Sequence, residues 1–140
     1  MGGQNYYKAE GGFSQYLYHQ VGDIISANGV SAKVVEKINP NDNNQGLPRY
    51  SNSSDMYLAM GGKSGEIIQA RVYMGRKAYM DIDWGHSHRG TPQGIAHVHF
   101  YALNDEGEPV KTGRYRLLNN KEMKKYGLLL KKANPKVKFR

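Results

Sequence analysis

Two segments of the chain alternate apolar and polar residues with a period of two, and this pattern constrains the fold more than any other. They read MDIDW from position 80 and IAHVHFY from position 95. Such alternation is typical of β-strands with one apolar and one polar face. If the two strands are antiparallel neighbours and match their apolar rows, facing positions sum to an even number, as when Asp83 faces His97 and Asp81 faces His99. The sequence therefore predicts carboxylates opposite imidazoles on one solvent-reachable side of a sheet.

The connection between these two segments adds more groups of the same kind. It contains His86, His88 and Arg89, so four of the five histidines fall within the fourteen residues 86–99. Neutral imidazole accepts a proton and imidazolium donates one near pH 6.5, and a neighbouring carboxylate fixes the tautomer. This density predicts an acid-base site that cleaves an RNA phosphodiester. The candidate catalytic residues are His97, His99, His86, His88, Asp81 and Asp83.

Two other chemistries fit the same residues, and the sequence leaves them open. Imidazole and carboxylate groups together suit Zn²⁺, Mn²⁺ or Ni²⁺, and the metal ligands would then be Asp81, Asp83, His97 and His99. The chain has no cysteine and no HExxH motif to favour a metal, and we expect no required cofactor. In the third alternative, the tyrosine-rich surface binds nucleic acid without cutting it. The simplest alternative is that each Asp/His pair only satisfies its own hydrogen bonds.

The positive charge of the protein lies almost entirely at its C-terminal end. Residues 111–140 hold eleven Lys and Arg against Glu122 alone, a net charge of +10, whereas residues 1–110 have a net charge of −2. A basic block of this kind attracts polyanions, and we expect nucleic acid, with RNA favoured, as the partner. The predicted phosphate-binding residues are Arg71, Arg89, Arg114, Arg116, Lys124, Lys125, Lys131 and Lys132. The rival prediction is a non-catalytic phage or mobile-element module that docks nucleic acid or an acidic partner through this end.

The length and composition predict one domain, residues 1–140. Leu, Ile, Val and Phe make only 27 of the 140 residues, and eleven Tyr and six Met supply the remaining bulk of a small core. The spacing of apolar residues predicts an α+β fold with an N-terminal helix over residues 13–27, ended by Asn28-Gly29. A central antiparallel meander of four to five strands follows, and a basic helix and tail end the chain.

The finer boundaries follow from turn residues and apolar spacing. Residues 1–12 are Gly-rich and are expected to be flexible, residues 30–38 fit either a strand or a second helix, and residues 39–48 are a long surface loop. The predicted meander strands cover residues 57–60, 66–74, 78–84 and 95–102, with a fifth over 114–118. The final helix begins at Asn119 or Asn120, and residues 134–140 form the basic tail.

Several classes of protein are excluded by what the sequence lacks. Without cysteine, disulfide frameworks, thiolate zinc sites and cysteine nucleophiles are absent. No apolar run approaches the roughly 20 residues that span a bilayer, and the start of the chain lacks a signal-peptide pattern. We therefore expect no transmembrane segment and synthesis in the cytoplasm.

The stretch from Leu47 to Tyr101 carries the motifs R-x-Y, D-x-D-W, a His-rich loop and H-x-H. In this series it resembles the C-terminal domains of bacterial polymorphic toxins and related phage-encoded proteins. The resemblance implies an exported or phage-delivered effector domain with nuclease activity, restrained by an immunity protein that we expect to be acidic. The matching positions are Arg71, Asp81, Asp83, His86, His88, His97 and His99.

Overall fold

The computed structural model describes residues 6–8, 17–37, 47–51, 55–60, 65–85 and 94–139. These residues form one β-sheet and a C-terminal helix. No helix in this described part of the chain is both long enough and apolar enough to cross a bilayer. The strands are β1 Tyr6–Lys8, β2 Leu17–Gln20, β3 Ile25–Ala27, β4 Val30–Lys37, β5 Met56–Met60, β6 Ile67–Met74, β7 Lys77–Asp83, β8 His97–Leu103 and β9 Pro109–Leu117, and the helix is α1 Asn120–Ala133.

The strands lie side by side in the order β1-β2-β4-β5-β6-β7-β8-β9, and β3 pairs with the first part of β4. Strands β4 and β5 are parallel, whereas the other neighbouring strands are antiparallel. From β5 to β9, each strand lies next to the strand that follows it in the chain. Short connections favour this arrangement between β5 and β6, β6 and β7, and β8 and β9, whereas residues 84–96 form a longer connection between β7 and β8.

The prediction of a helix over residues 13–27 is wrong. Strands β2 and β3 lie in its place, and the part from 13 to 16 is outside the described residues. Asn28 and Gly29 have φ angles of +51° and +77°. Positive φ at both central residues is the conformation of a type I′ turn, which joins two strands of a hairpin and does not end a helix. The apolar spacing is misleading here, since Tyr18 is buried while Ile24 is exposed.

The predicted meander of four to five strands is also wrong, because the described residues form nine strands. The segment that fitted either a strand or a helix is strand β4, and it pairs in parallel with β5, with Val34 opposite Leu58. A parallel pair needs a crossover connection of about a dozen or more residues. Residues 38–55 provide that length, so the sheet joins an N-terminal group of strands to the meander β5–β9.

Within that meander, the predicted strands lie close to the observed ones. Strands β6 and β7 form the expected hairpin, with Gly75 and Arg76 at φ angles of +57° and +66°. These angles again define a type I′ turn. Strand β9 begins five residues earlier than the strand predicted over 114–118, and its pairing with β8 contains a bulge between His99 and Tyr101.

The C-terminal helix begins where the sequence predicts. The Asn119 side chain accepts a hydrogen bond from the backbone N–H of Glu122 (2.8 Å), and the Glu122 carboxylate accepts one from the Asn119 N–H (2.9 Å). This reciprocal pair is a capping box. The segment after the helix is not a free tail, because Val137 is fully buried and Lys138 pairs with Ile95 beside β8.

The two faces of the sheet have different cores. On the first, which we call the helix face, α1 packs near β3 and β4 and buries Tyr126, Leu129 and Leu130 in one cluster with Ile82 and Val98. The opposite side is the tyrosine face. Its core residues are Tyr18, Val35, Leu47, Tyr57, Tyr73 and Ala78. Side chains on a strand alternate between faces, so the residues next to Ile82 and Val98 point to the tyrosine face.

Two segments predicted to be loose contain ordered parts. Leu47, at the end of the loop predicted over 39–48, is buried in the tyrosine face, and residues 39–46 lie outside the described part of the chain. Residues 6–8 of the N-terminal segment 1–12, which was expected to be flexible, form β1 and pair with β2. The remainder of that segment is also outside the described residues.

We expect Glu122→Gln to weaken the protein in a pH-dependent way. Burial raises the pKa of Glu122, but hydrogen bonds from Arg116 (2.7 and 2.9 Å) and from the Asn119 N–H lower it by more, so the net pKa lies below the ordinary value. The loss at pH 7 should be about 0.5–1 kcal/mol, because the Arg116 side chain is 43% exposed.

A lowered folded-state pKa contributes stability above the unfolded pKa, and this contribution is lost as the pH falls through the folded value. Urea denaturation at pH 7 and pH 3 should therefore show a smaller difference between wild type and E122Q at pH 3. An equal difference at both pH values would contradict the assigned ion pair.

Candidate functional site on the tyrosine face

The register of β7 and β8 has the parity expected from the sequence, and it is the example that the alternation suggested. Asp81 lies opposite His99, and Asp83 lies opposite His97. All four side chains belong to the tyrosine face, since the residues between them belong to the core of the helix face. However, the expected solvent-reachable row is not found, because all four residues are buried.

Three of these residues form a compact group. Asp83, His97 and His99 each offer a ligand atom, and these atoms all lie within 4.8 Å of one another. Their exposed fractions are 6%, 0% and 8%. The two imidazole rings meet edge to face, with 5.0 Å between ring centroids. Asp81 is not part of this group, which we call the Asp-His cluster.

Backbone groups next to the cluster orient two of its members. The Nδ1 atom of His97 lies 3.2 Å from the carbonyl oxygen of Ile95. A carbonyl oxygen only accepts hydrogen bonds, so Nδ1 carries the hydrogen in this contact and the neutral ring keeps its lone pair on Nε2. The N–H of Gly85 donates to Oδ1 of Asp83 over 3.2 Å. The Ile68 side chain packs against the Gly85 backbone so closely that a Cβ atom at position 85 would collide with it, and this position therefore requires glycine.

Asp81 belongs to a separate buried network. Its Oδ1 accepts a hydrogen bond from Nε of Arg71 (2.6 Å), and its Oδ2 accepts from Nη2 of Arg71 (3.0 Å) and from the Tyr101 hydroxyl (2.8 Å). Nζ of Lys111 lies 3.7 Å from the same Oδ2. The bidentate geometry defines a charge-assisted ion pair. Asp81 is therefore engaged with two cations and a phenol.

Arg71 uses its remaining donor to hold a distant segment of the chain. Its Nη1 donates to the backbone carbonyl oxygens of Leu47 and Pro48, and the Tyr73 hydroxyl also donates to Pro48. Arg71 is itself buried. In this structure its guanidinium makes internal contacts, so it is not placed to contact the phosphate of a bound nucleic acid as the sequence predicted.

The protonation states in this network follow from its packing. Burial lowers the pKa of the Arg71 guanidinium, but the Asp81 carboxylate raises it by more, and the net pKa lies above the ordinary value. Burial raises the pKa of Tyr101, and the adjacent Asp81 raises it further. Burial likewise raises the pKa of Tyr73. Both phenols therefore stay protonated and act as hydrogen-bond donors.

Strand β9 supplies residues at the edge of the cluster that the sequence reasoning did not select. The Tyr115 ring lies 5.8 Å from the His99 ring and 6.4 Å from the His97 ring, and Tyr115 is 41% exposed. Lys111 is exposed on the same face. Beside them an open groove of about 820 Å³ follows the bulge between β8 and β9, lined in part by Tyr101, Arg114 and Tyr115.

Five of the predicted phosphate-binding residues, namely Arg116 and four lysines of α1, have partners or positions away from the cluster. The Arg116 guanidinium pairs with Glu122 and lies 5.0 Å from the centre of the Phe100 ring. Because α1 packs on the helix face, the sheet separates its lysines from the Asp-His cluster. These exposed lysines are Lys124, Lys125, Lys131 and Lys132.

Three predicted site residues, His86, His88 and Arg89, lie outside the described residues. For the described residues, the structure brings together Asp83, His97 and His99, whereas Asp81, although opposite His99 in the register, is paired with Arg71. Continuing the period-two pattern into β9 would have suggested Tyr115 as a neighbour of His99. The bulge between β8 and β9 shifts the pairing, however, so this register cannot be read from the alternation alone.

Comparisons with protein-family models, with curated proteins and with solved structures find no match to this chain. The resemblance to polymorphic-toxin domains therefore stays a prediction from motifs. The geometry of the Asp-His cluster and its surroundings is the basis for assigning a function.

Proposed function

We propose that the protein cleaves nucleic acid, with RNA as the favoured substrate, at the Asp-His cluster. The observation that carries this proposal is the convergence of two imidazoles and a carboxylate within 4.8 Å. Cleavage of RNA by its own 2′-hydroxyl needs one group that removes a proton and one that returns a proton to the leaving oxygen. Imidazole performs either task near neutral pH, and an oriented carboxylate supports both.

The edge of the cluster offers contacts for a nucleotide. The exposed Tyr115 ring lies next to both imidazoles, and an aromatic ring in this position can stack on a base of any sequence. The ammonium group of Lys111 adds positive charge on the same face. Of the three cluster members His99 is the most exposed, at 8%. A bound nucleotide would therefore reach His99 first.

The motif resemblance adds a biological setting to this proposal. A toxin-like nuclease would be made in the cytoplasm and then exported or delivered by a phage, and an immunity protein would protect the producing cell. The net charge of +10 over residues 111–140 suits an acidic inhibitor, since complementary charge speeds association.

A cleavage assay on the purified full chain tests the proposal. Labelled single-stranded RNA and DNA of the same sequence are incubated with the protein, once with added Zn²⁺ or Mn²⁺ and once with EDTA. We expect the RNA to be cut and the DNA to stay intact, since only RNA carries the 2′-hydroxyl. If neither is cut under any of these conditions, the nuclease proposal fails.

A second function, binding without cleavage, is favoured by one specific observation. The lysines of α1 are exposed on the far side of the sheet from the cluster, and they form a separate basic surface. Such a surface binds a polyanion through its phosphates alone. In the same assay, RNA that is retained on a filter but not cut supports this second function. Charge reversal at Lys124 and Lys125 should then abolish the retention.

A further inference from the structure

We propose that Asp83, His97 and His99 form a three-ligand site for a divalent transition metal, best suited to Zn²⁺. This inference rests on the same cluster as the proposed function and deepens it by naming a cofactor. Two imidazole nitrogens and one carboxylate oxygen are a ligand set for Zn²⁺ and its first-row neighbours, whereas Mg²⁺ and Ca²⁺ prefer oxygen ligands.

The spacing of the three residues suits such an ion. A tetrahedral metal with bonds of about 2.0–2.1 Å holds its ligand atoms roughly 3.3 Å apart. The ligand atoms of the cluster already lie within 4.8 Å of one another, so they need to close by at most about 1.5 Å. Rotations of the side chains on two paired strands would supply this closure, and the backbone register keeps Asp83 opposite His97.

The backbone contacts around the cluster are those of a metal site. Histidine ligands commonly donate their second ring N–H to a backbone carbonyl or a carboxylate, which fixes the tautomer and the ring orientation. His97 makes this contact with Ile95 through Nδ1, and its Nε2 is then the atom available as a ligand. Asp83 is oriented in the same way by the Gly85 N–H.

Burial also favours a cation at this position. The three residues are between 0% and 8% exposed, and removing a carboxylate from water is costly unless positive charge is close to it. A divalent ion would add positive charge beside Asp83 and use both imidazoles in their neutral form.

Three protein ligands leave a fourth tetrahedral position for water or substrate. Structural zinc sites fill all four positions with protein ligands, and catalytic sites keep one open. Within the described residues, the cluster therefore matches a site that acts on a bound molecule. With a metal bound, the imidazoles would be ligands instead of proton-transfer groups, and phosphodiester cleavage would then depend on a metal that polarises the phosphate or activates water.

A binding experiment with Co²⁺ tests the site without measuring cleavage. Metal-free full-length protein, prepared by dialysis against EDTA, is titrated with Co²⁺, whose visible absorption reports tetrahedral nitrogen and oxygen ligands. We expect one equivalent to bind, and Zn²⁺ to displace it. The isosteric variant Asp83→Asn and the variant His99→Gln should each weaken binding by more than about 100-fold, since losing even a partner behind a ligand costs about 10–100-fold, while His19→Ala on β2 should bind as wild type does.

Circular dichroism on each variant shows that it is folded, and D83N keeps the proposal testable if the histidine variant does not fold. Absence of binding at millimolar Co²⁺ or Zn²⁺, or equal binding by wild type and both variants, would overturn the metal site. Metal binding without cleavage of any nucleic acid would leave the metal site standing and reject the nuclease. Cleavage that resists EDTA, in a protein that binds no metal, would support the nuclease and reject the metal site.

Discussion

Replacing Arg71 with Met lowers the free energy of unfolding by about 3–5 kcal/mol, as expected when one partner of a buried ion pair is removed. Asp81 is fully buried, and both of its carboxylate oxygens accept hydrogen bonds from Arg71. Methionine fills similar space but leaves this carboxylate without its principal cation. It also removes the donor to the Leu47 and Pro48 carbonyls. Urea denaturation followed by circular dichroism measures the loss.

The matched control is Arg76→Met, which removes an exposed arginine from the β6–β7 turn and should change the stability by less than about 0.5 kcal/mol. The double variant R71M/D81N should recover part of the loss, since a neutral amide is cheaper to bury than a lone charge. If R71M instead stays within about 1 kcal/mol of wild type, the ion pair is not a determinant of the fold.

This prediction separates two roles that the sequence assigned to one site. Arg71 and Asp81 were expected to contact phosphate and histidine, but they bind each other and fix the segment at Leu47 and Pro48. An arginine that contacts substrate would affect cleavage and leave stability unchanged. The structure therefore divides the predicted site into an ion pair between β6 and β7 that stabilises the fold and the Asp-His cluster on β7 and β8.

The parity of the β7–β8 register could be predicted from sequence because period-two alternation in both segments must match apolar to apolar positions. That argument allows the observed pairing of Asp83 with His97, although it does not choose among registers of the same parity. It could not give the burial of this row. Burial depends on what covers the tyrosine face, and part of that cover is Leu47, which lies far from β7 in sequence.

The N-terminal half was predicted less well because its pattern fits two periods at once. Leu17, Val21 and Ile25 match a helix, yet the positive φ angles of Asn28 and Gly29 make a hairpin turn. The parallel pairing of β4 with β5 has no local signal at all. It is a long-range contact whose stability comes from packing on both faces of the sheet.

His99→Ala should lower the rate of RNA cleavage by about 10³-fold, within the range of 10²–10⁴ for loss of a proton-transfer group. His99 is the most exposed member of the Asp-His cluster and lies beside the Tyr115 ring. A metal ligand at this position would give a loss of similar size, so the prediction holds for either chemistry. Single-turnover rates with excess protein measure the effect apart from substrate binding.

His19→Ala is the matched control. His19 is an exposed histidine that pairs with Glu36, and both lie on strands β2 and β4, which are distant from β7 and β8 in the sheet. Its loss should leave the rate within about twofold of wild type. The double variant D83N/H99A tests whether the cluster acts as one unit. If it does, the double variant is barely slower than H99A alone, since the effects of residues that act together are not additive. If the rate loss of the double variant equals the product of the losses of D83N and H99A, the two residues act independently and the cluster is not one reacting unit. A folded H99A variant that keeps more than about a tenth of the wild-type rate would likewise place the reacting groups elsewhere.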